Sequence, residues 1–480
     1  MSWAESKWVV DSLLQKIGQP PNNMRAFTAF SFSATSLGLK FLEPEDSYAD
    51  GNLICSVGGV MIRMSTEGYP TNPNEGTLVI DNTNLGAYEN EPFVVENLTE
   101  GTTYYFSAFP YSVQGVYNLS SNISNRATAS PVSSIYGISR DTTSFSPAWT
   151  RTDNAVGKTA TASIGMQAGS SGFDTCEPWS GIVRETLASG DVMVKIPKFY
   201  FQRYKEGNVE HIRIADKATE GFTVHPLFKH AGVEKDYAYI GAYKTSANNK
   251  SVSGASPQVS QTRATFRTNA KSKGTGWSSM DIAALSAIQM LMLVEFATNN
   301  VQTAIGRGYC DSNSAALNVG SCNSVPNLTG RPSGTDGKTD VVWRGIEGLW
   351  GNVWEWVDGV NWNGGTYYVC NDPSKYADDT ATNYTQLSFT GSTSWSASYI
   401  TQEGLDTGNN AHVMLPSAAG SGSESTYQCD ACYSNTDWRV CQRGGAWLSG
   451  SGWGLFAVSL SNDSSASYAG DGSRLLYLPS

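Results

Sequence analysis

The sequence predicts a mainly β fold with some α-helix, built from more than one domain, and three observations carry this prediction. The 480 residues include 48 glycines and are rich in Ser, Thr and Asn, a composition that favours strands and turns. Runs of alternating apolar residues, such as 26–32 and 103–109, recur between turn signals. One segment alone, from about 280 to 298, repeats apolar residues at clear helical spacing over several turns.

Composition also excludes several classes of function. The net charge is −11 and no run of Lys or Arg occurs, so we expect no binding to nucleic acid. No apolar stretch reaches the roughly 18 residues that span a bilayer, so we expect no membrane insertion. The N-terminus lacks the basic start, apolar run and cleavage site of a signal peptide, which predicts folding in a cytoplasm.

The eight cysteines are then better explained as buried free thiols than as disulfides. A metal site is the alternative, with Cys429, Cys432, Cys441 and His412 as its ligands. A structural zinc site usually shows two such cysteine pairs, and this chain has one.

The chain divides into three predicted parts. Residues 1–22 are expected to contain a short amphipathic helix for assembly or docking, with packing on its own chain as the alternative. Residues 23–130 form a β-rich unit, and residues 131–480 form the second domain. Within that domain we expect a polar irregular excursion at 245–280 and a buried helix capped by Ser278 or Ser279.

The run NLTEGTTYYF at 97–106 resembles the late-strand signature of fibronectin type III domains. In that family a leucine precedes a turn and a tyrosine locks the corner, roles that would fall here to Leu98 and to Tyr104 or Tyr105. Residues 69–77 and 109–117 resemble the version found in bacteriophage tail fibres. The resemblance implies a β-sandwich that acts as a spacer without chemistry.

Three motifs near the C-terminus, GNVWEW at 351–356, RVCQRGGAW at 439–447 and GSR at 472–474, occur in the order typical of one family. They resemble the formylglycine-generating-enzyme branch of the C-type lectin fold. Strand alternation places Glu355 opposite its tryptophan neighbours, and Arg443 can pair with Glu355 or Asp358. The residues expected to act as scaffold are Trp354, Glu355, Trp356, Arg443, Gly444, Gly445, Trp447 and Arg474.

The enzymes of that family carry reactive cysteines just after RGG-x-W, but no cysteine follows Cys441 here. Thiol chemistry at that place is therefore excluded. No G-x-S-x-G, P-loop or HExxH motif occurs, while a Ser-His-Asp triad or a pair of carboxylates stays open. We expect a protein that is not an enzyme, with no catalytic residues.

Residues 446–470 contain seven serines, several aromatics and one ionised side chain, Asp463. This mixture resembles an antibody paratope, in which rigid aromatic anchors stand among short hydrogen-bonding groups. A flexible Ser-rich loop, or a fixed structural or carbohydrate-binding protein, is the alternative.

The tract 439–478 resembles the variable region of diversity-generating-retroelement target proteins, in which adenine-directed mutagenesis rewrites a ligand site on a lectin fold. Together with the tail-fibre likeness, this implies a phage receptor-binding protein of the virion, assembled in the bacterial cytoplasm. Its implied partners are a host-surface protein or glycan, other tail proteins and further copies of itself, for example in a trimer.

By that resemblance, Trp447, Phe456 and Leu460 would be core, and Trp453 and Tyr468 would be exposed anchors. No cofactor is expected. The family allows calcium, but the acidic loops at 336–340 and 372–379 lack a complete set of ligands. The implied ligand-binding residues are Ala446, Leu448, Ser449, Ser451, Gly452, Trp453, Ser459, Ser461, Asn462, Asp463, Ser465, Ser467, Tyr468 and Asp471.

Overall fold

The computed structural model describes residues 18–479 except Ala34, Ser133, Ala231 and Asn313. The predicted N-terminal helix therefore lies almost entirely outside the described residues. Strands dominate and helices are few, which confirms the predicted fold class. The chain forms two compact units: the residues before Ser134 with Lys217–Thr219, and Ser134–Asp216 with Glu220–Ser480.

The strands of the first unit are β1 (Ala26–Ser33), β2 (Ser36–Leu42), β3 (Ser47–Ala49), β4 (Asn52–Cys55), β5 (Val57–Ser65), β6 (Thr77–Asn82), β7 (Phe93–Val95), β8 (Tyr104–Ser112) and β9 (Arg126–Ala129). Two antiparallel sheets, β1-β2-β7 and β6-β5-β8-β9, share one apolar core that includes Leu39 and Phe106. Strands β3 and β4 form a separate hairpin.

Tyr104, rather than Tyr105, locks the turn before β8. Its side chain is buried, and its hydroxyl accepts the backbone N–H of Thr99 at 3.0 Å. Leu98 is buried beside this turn. Tyr105 instead packs edge-on against Tyr69, with ring centroids 5.1 Å apart. The sequence pattern located the turn, and burial decides which of the two tyrosines holds it.

The second unit begins with short sheets and three helices. In chain order its elements up to residue 347 are β10 (Ile135–Asp141), β11 (Thr150–Asp153), β12 (Ala160–Thr161), β13 (Ser163–Ile164), β14 (Ser170–Ser171), β15 (Val183–Thr186), β16 (Val192–Pro197), β17 (Tyr200–Glu206), β18 (Val209–Ala215), β19 (Thr223–Val224), β20 (Lys229–His230), β21 (Val233–Glu234), β22 (Tyr237–Gly241), α1 (Arg263–Lys271), β23 (Trp277–Ser279), α2 (Ile282–Phe296), α3 (Val301–Ile305), β24 (Gly330–Arg331), β25 (Val342–Trp343) and β26 (Ile346–Glu347).

The remaining strands are β27 (Trp354–Asn363), β28 (Thr366–Val369), β29 (Thr385–Thr390), β30 (Ser398–Glu403), β31 (Pro416–Gly420), β32 (Ala431–Ser434), β33 (Trp438–Arg443), β34 (Val458–Leu460), β35 (Asp471–Gly472) and β36 (Leu475–Tyr477). Most of them form one large sheet in the order β29-β28-β27-β33-β34-β32-β30-β31, with β35 parallel to β27. Strand β36 joins the neighbouring sheet β15-β16-β22-β36-β23. The C-terminal tract therefore contributes strands to two sheets.

Helix α2 is the central element of the core, and nearly every residue in it is buried. Its N-terminal cap is Asp281, whose carboxylate accepts the N–H of Ala284 at 2.8 Å. The expected caps, Ser278 and Ser279, lie in β23 instead. No helix in the described part of the chain is both long and apolar enough to cross a membrane.

Helix α1 corrects the expectation of an irregular excursion at 245–280. Thr262 caps it by accepting the N–H of Thr265 at 3.1 Å. Its buried face combines Phe266 and Ala270 with two arginines, Arg263 and Arg267, which bind Asp378 and Asp358. Because the arginines interrupt the apolar spacing, an apolar-periodicity criterion does not detect this helix.

One buried carboxylate, Glu355 of β27, binds three cations from three other segments. Arg443 of β33 contacts its Oε2 atom, Arg474 donates to Oε1 at 2.9 Å, and Lys244 donates to Oε1 at 3.1 Å. Burial alone would raise the pKa of Glu355, but the three cations together hold that pKa well below its usual range. The predicted partner of Arg443 is thus Glu355, and this cluster connects β27, β33 and the C-terminal segment.

We expect Arg443→Ala to lower the free energy of unfolding by about 3 kcal/mol or more, because it removes a buried charge partner of Glu355. Chemical denaturation measures this loss. Arg439→Ala is the matched control, since Arg439 lies on the same strand, is only partly buried and donates to the Trp438 carbonyl. Equal stability losses in the two variants would contradict the proposed role of the cluster.

Candidate functional site

A groove of about 400 Å³, here called the C-terminal groove, opens on the second unit. Twelve of its fourteen lining residues belong to the tract 439–478, and the two exceptions are Trp354 and Tyr433. The lining residues are Trp354, Tyr433, Gln442, Ala446, Trp447, Leu448, Ser449, Ser459, Ser461, Asn462, Tyr468, Ala469, Gly470 and Asp471.

The floor of the groove is one face of the large sheet. Across neighbouring strands Tyr433 pairs with Ser459, Ser459 with Gln442, and Trp354 with Asp471. Residues paired across strands project from the same face, so these five side chains lie together. The next residues along β27 and β33, which form the Glu355–Arg443 pair, project from the opposite face.

The walls come from the segments that follow β33 and β34 and precede β35. At the first wall the N–H of Trp447 donates to the Asn352 carbonyl at 3.0 Å, and its carbonyl accepts the N–H of Ser312 at 2.8 Å. The Trp447 ring is only half-buried and lines the groove. The expectation that Trp447 is core is therefore wrong, because its backbone is fixed while its ring faces the groove.

Trp453 corrects the opposite expectation, since it is buried and only 7% exposed. Its ring stacks on Tyr433 at 4.9 Å and 14°, and meets Trp354 edge-on at 5.2 Å. Asp430 accepts the N–H groups of Gly454 and Phe456 at 2.7 and 2.8 Å, which fixes the turn that carries Trp453. Trp453 therefore packs against the rings of Tyr433 and Trp354, which belong to the groove floor.

Eight of the fourteen predicted ligand-binding residues line the groove: Ala446, Leu448, Ser449, Ser459, Ser461, Asn462, Tyr468 and Asp471. The other six do not: Ser451, Gly452, Trp453, Asp463, Ser465 and Ser467. Among these, Ser451 binds Glu424, and Asp463 accepts the N–H of Ser465 at 2.9 Å in a local turn. Gly452 is buried, and its carbonyl accepts the N–H of Ala431 at 2.7 Å.

The scaffold residues lie around this groove. Trp356 is buried and its indole N–H donates to the Gln261 carbonyl at 3.0 Å. Gly444 and Gly445 have φ angles of 78° and 70°, a backbone conformation that residues other than glycine rarely adopt. Phe456 and Leu460 are buried, as expected of core residues.

Sequence reasoning missed six lining residues. It did not name Tyr433, Gln442, Ala469 and Gly470, and it assigned Trp354 and Trp447 to the scaffold. Alternation along β33 could have identified Gln442, because it stands next to Arg443 and must project from the other face. Its Oε1 atom accepts from Asn462 Nδ2 at 2.7 Å. Tyr433 lies outside the tract, and only the parallel pairing of β32 with β34 brings it to the groove.

The groove is almost without charge. Asp471 is the one carboxylate among its fourteen lining residues, and none of them is Lys, Arg, His or Glu. Asp471 is 3% exposed and accepts the N–H of Tyr468 at 3.2 Å. Burial raises the pKa of Asp471.

Within the described residues, the fold does not bring the side chains of the alternative cysteine-based metal site together as a set of ligands. Cys429, Cys432 and Cys441 are buried free thiols, and burial raises the pKa of each. Among the described residues, no three His, Cys, Asp or Glu side chains come close enough to hold an ion. Neither acidic loop named above forms such a group.

Ser286 and His225 are in contact in the core, but the direction of their hydrogen bond does not suit a catalytic pair. Ser286 Oγ lies 3.3 Å from His225 Nε2, and both residues are fully buried. The N–H of Leu227 donates to His225 Nδ1 at 3.2 Å, so the proton of the neutral ring is on Nε2. Because burial keeps the pKa of His225 well below its usual value, Nε2 cannot accept the Ser286 proton.

Glu403 has the raised pKa that an acid catalyst often has, but no access to solvent. It is 4% exposed, and neither carboxylate oxygen has a hydrogen-bond partner among the described residues. Burial raises its pKa to about 8 despite the nearby Arg203, which binds Glu210 at 2.7 Å. Glu403 is therefore a buried core carboxyl.

No protein-family model matches this chain. A search of curated proteins likewise finds no match to it.

We expect Trp453→Ala to lower the free energy of unfolding by about 3 kcal/mol, because it removes a buried ring between two others. Leu448→Ala is the control: Leu448 is 63% exposed, and its loss should change stability by less than about 0.5 kcal/mol. Thermal melting compares the two variants. An unchanged transition in Trp453→Ala would show that its ring is not part of the core.

We expect Glu403→Gln to stabilise the protein near pH 7, with a gain that vanishes on acidification. The unfolded carboxyl titrates near 4.5 and the folded one near 8, so the wild type loses stability as pH rises through this window. The slope is about 1.4 kcal/mol per pH unit. Denaturation from pH 4 to 8 tests this, and a difference independent of pH would contradict it. Glu210→Gln, which unpairs Arg203, should destabilise the protein instead.

Proposed function

We propose that this chain is a non-enzymatic receptor-binding protein, a variable protein of the diversity-generating-retroelement type with a C-type lectin fold, and that it binds its target in the C-terminal groove. One observation carries the proposal: the tract that resembles a rewritten region supplies twelve of the fourteen groove residues. The side chains of the scaffold cluster, Glu355 and Arg443, project from the opposite face of the same sheet.

This arrangement suits a site whose residues change. Substitutions of exposed side chains usually alter stability by less than about 0.5 kcal/mol, whereas changes in a buried ion-pair cluster cost several times more. Leu448 and Tyr468 are each 63% exposed at the groove. A chain of this design tolerates replacements on one face of the sheet while the other face preserves the fold.

The proposal assigns roles to the rest of the chain. The first unit, with its Tyr104 turn lock, would be a fibronectin type III-like spacer of a phage tail. The partners would be a host-surface protein or glycan, other tail proteins and further copies of this chain. A fixed tail protein with the same groove is the alternative, and it differs in having an invariant tract.

We expect deep sequencing of codons 430–480 in a propagated population to find substitutions at the exposed and half-buried groove positions Leu448, Ser449, Ser461, Asn462 and Tyr468. They should trace to adenines in a template repeat in the downstream DNA. The codons of Glu355, Arg443 and Trp453 serve as controls and should stay constant, because their side chains are buried. An invariant tract without a template would contradict retroelement diversification and favour the fixed tail protein.

A further inference from the structure

We infer that the C-terminal groove receives an uncharged aromatic or apolar side chain, presented by a surface loop of a protein partner. This inference rests on the proposed function and specifies the ligand of the same site. It depends on which lining groups reach the surface, on the absence of charge and on the rigidity of the aromatic floor.

The accessible lining is mainly aromatic and apolar, and its half-buried polar side chains, Ser449, Ser461 and Asn462, each bind another group of the chain. Leu448 and Tyr468 are strongly exposed, and Trp354, Tyr433 and Trp447 are half-buried. Tryptophan and tyrosine rings in concave sites are among the groups that contribute most to protein–protein binding. The accessible surface therefore favours an apolar ligand group.

The polar floor groups are covered, and most of their atoms have partners within the chain, although Gln442 Nε2 has none among the described residues. Gln442, Ser459 and Asp471 are 2–3% exposed. Ser459 Oγ lies 2.9 Å from Ser461 Oγ, and the Gln442 oxygen accepts from Asn462. A sugar ring needs several accessible hydrogen-bonding partners to replace its hydration, and these groups do not offer them.

The lining would leave a charged ligand group unpaired. It contains no cation, and its one carboxylate, Asp471, is buried. The chain as a whole carries a net charge of −11, which opposes an anion. Since a charge moved from water into such a site is uncompensated, the entering group is uncharged.

The aromatic floor is also pre-organised. Trp453 stacks on Tyr433 and meets Trp354 edge-on, so two rings of the groove are held by a third that is buried. A rigid apolar surface loses little conformational entropy when a side chain docks on it. This favours insertion of one anchor side chain from a loop.

Two uncharged probes separate the ligand classes: N-acetyltryptophanamide, which mimics an aromatic side chain, and methyl β-glucoside, which mimics a sugar. Saturation-transfer NMR on the full chain detects weak binding of either. We expect the aromatic probe to bind and the glucoside not to bind. Raising the salt concentration should leave the binding unchanged or strengthen it, because no ion pair forms.

Leu448→Asp should weaken binding of the aromatic probe about tenfold or more, because it places a charge at the groove. Ser467→Asp adds the same charge at an exposed position of the same tract that does not line the groove, and should bind as wild type does. Both substitutions lie at exposed positions, so both variants should fold, which the thermal transition verifies.

Binding of the glucoside alone, binding of neither probe, or aromatic binding that Leu448→Asp leaves intact would each overturn the inference. These results leave the proposed function standing if sequencing finds rewritten groove codons. An invariant tract would overturn retroelement diversification whatever the probes show, so the two failures are distinguishable.

Discussion

The second unit depends on the buried carboxylate of Glu355. Transfer of a lone carboxylate from water into the core is costly, so its ionised form requires compensating partners. Lys244, Arg443 and Arg474 supply them from three segments far apart in the chain. Burial also lowers the pKa of Lys244 to about 8, and the neighbouring Glu355 carboxylate opposes this shift. The core can pack around Glu355 because these three cations compensate its charge.

The cluster also explains the position of the groove. A strand must alternate its side chains between two faces, so the residues beside Glu355 and Arg443 project to the other side of the sheet. Those residues are Trp354 and Gln442, which form part of the groove floor. The same backbone that aligns the buried ion pairs therefore aligns the floor, and disruption of the cluster would disturb the groove without any direct contact.

Regular patterns in the sequence predicted the mainly β class and the helix in the core, and they left Glu355 and Asp358 as possible partners of Arg443. The burial of individual tryptophans and the presence of helix α1 depend on tertiary contacts, which these patterns do not show. Trp447 and Trp453 both lie in a Gly-rich segment without periodicity, and their burial depends on partners such as Asn352 and Tyr433 that no local pattern identifies. Helix α1 was missed for a related reason, because two of its four buried residues are arginines.

Under the proposed function, two of the four aromatic rings that line the groove come from outside the rewritten tract. Trp354 and Tyr433 lie outside the tract, and the buried Trp453 holds them in place. Replacements at the exposed Leu448 or the half-buried Ser461 would alter the shape and hydrogen bonding of the rim, but they would not remove these rings. Because aromatic area dominates binding at such sites, a groove rewritten as the proposed function requires would keep its apolar character and change mainly which loop fits it.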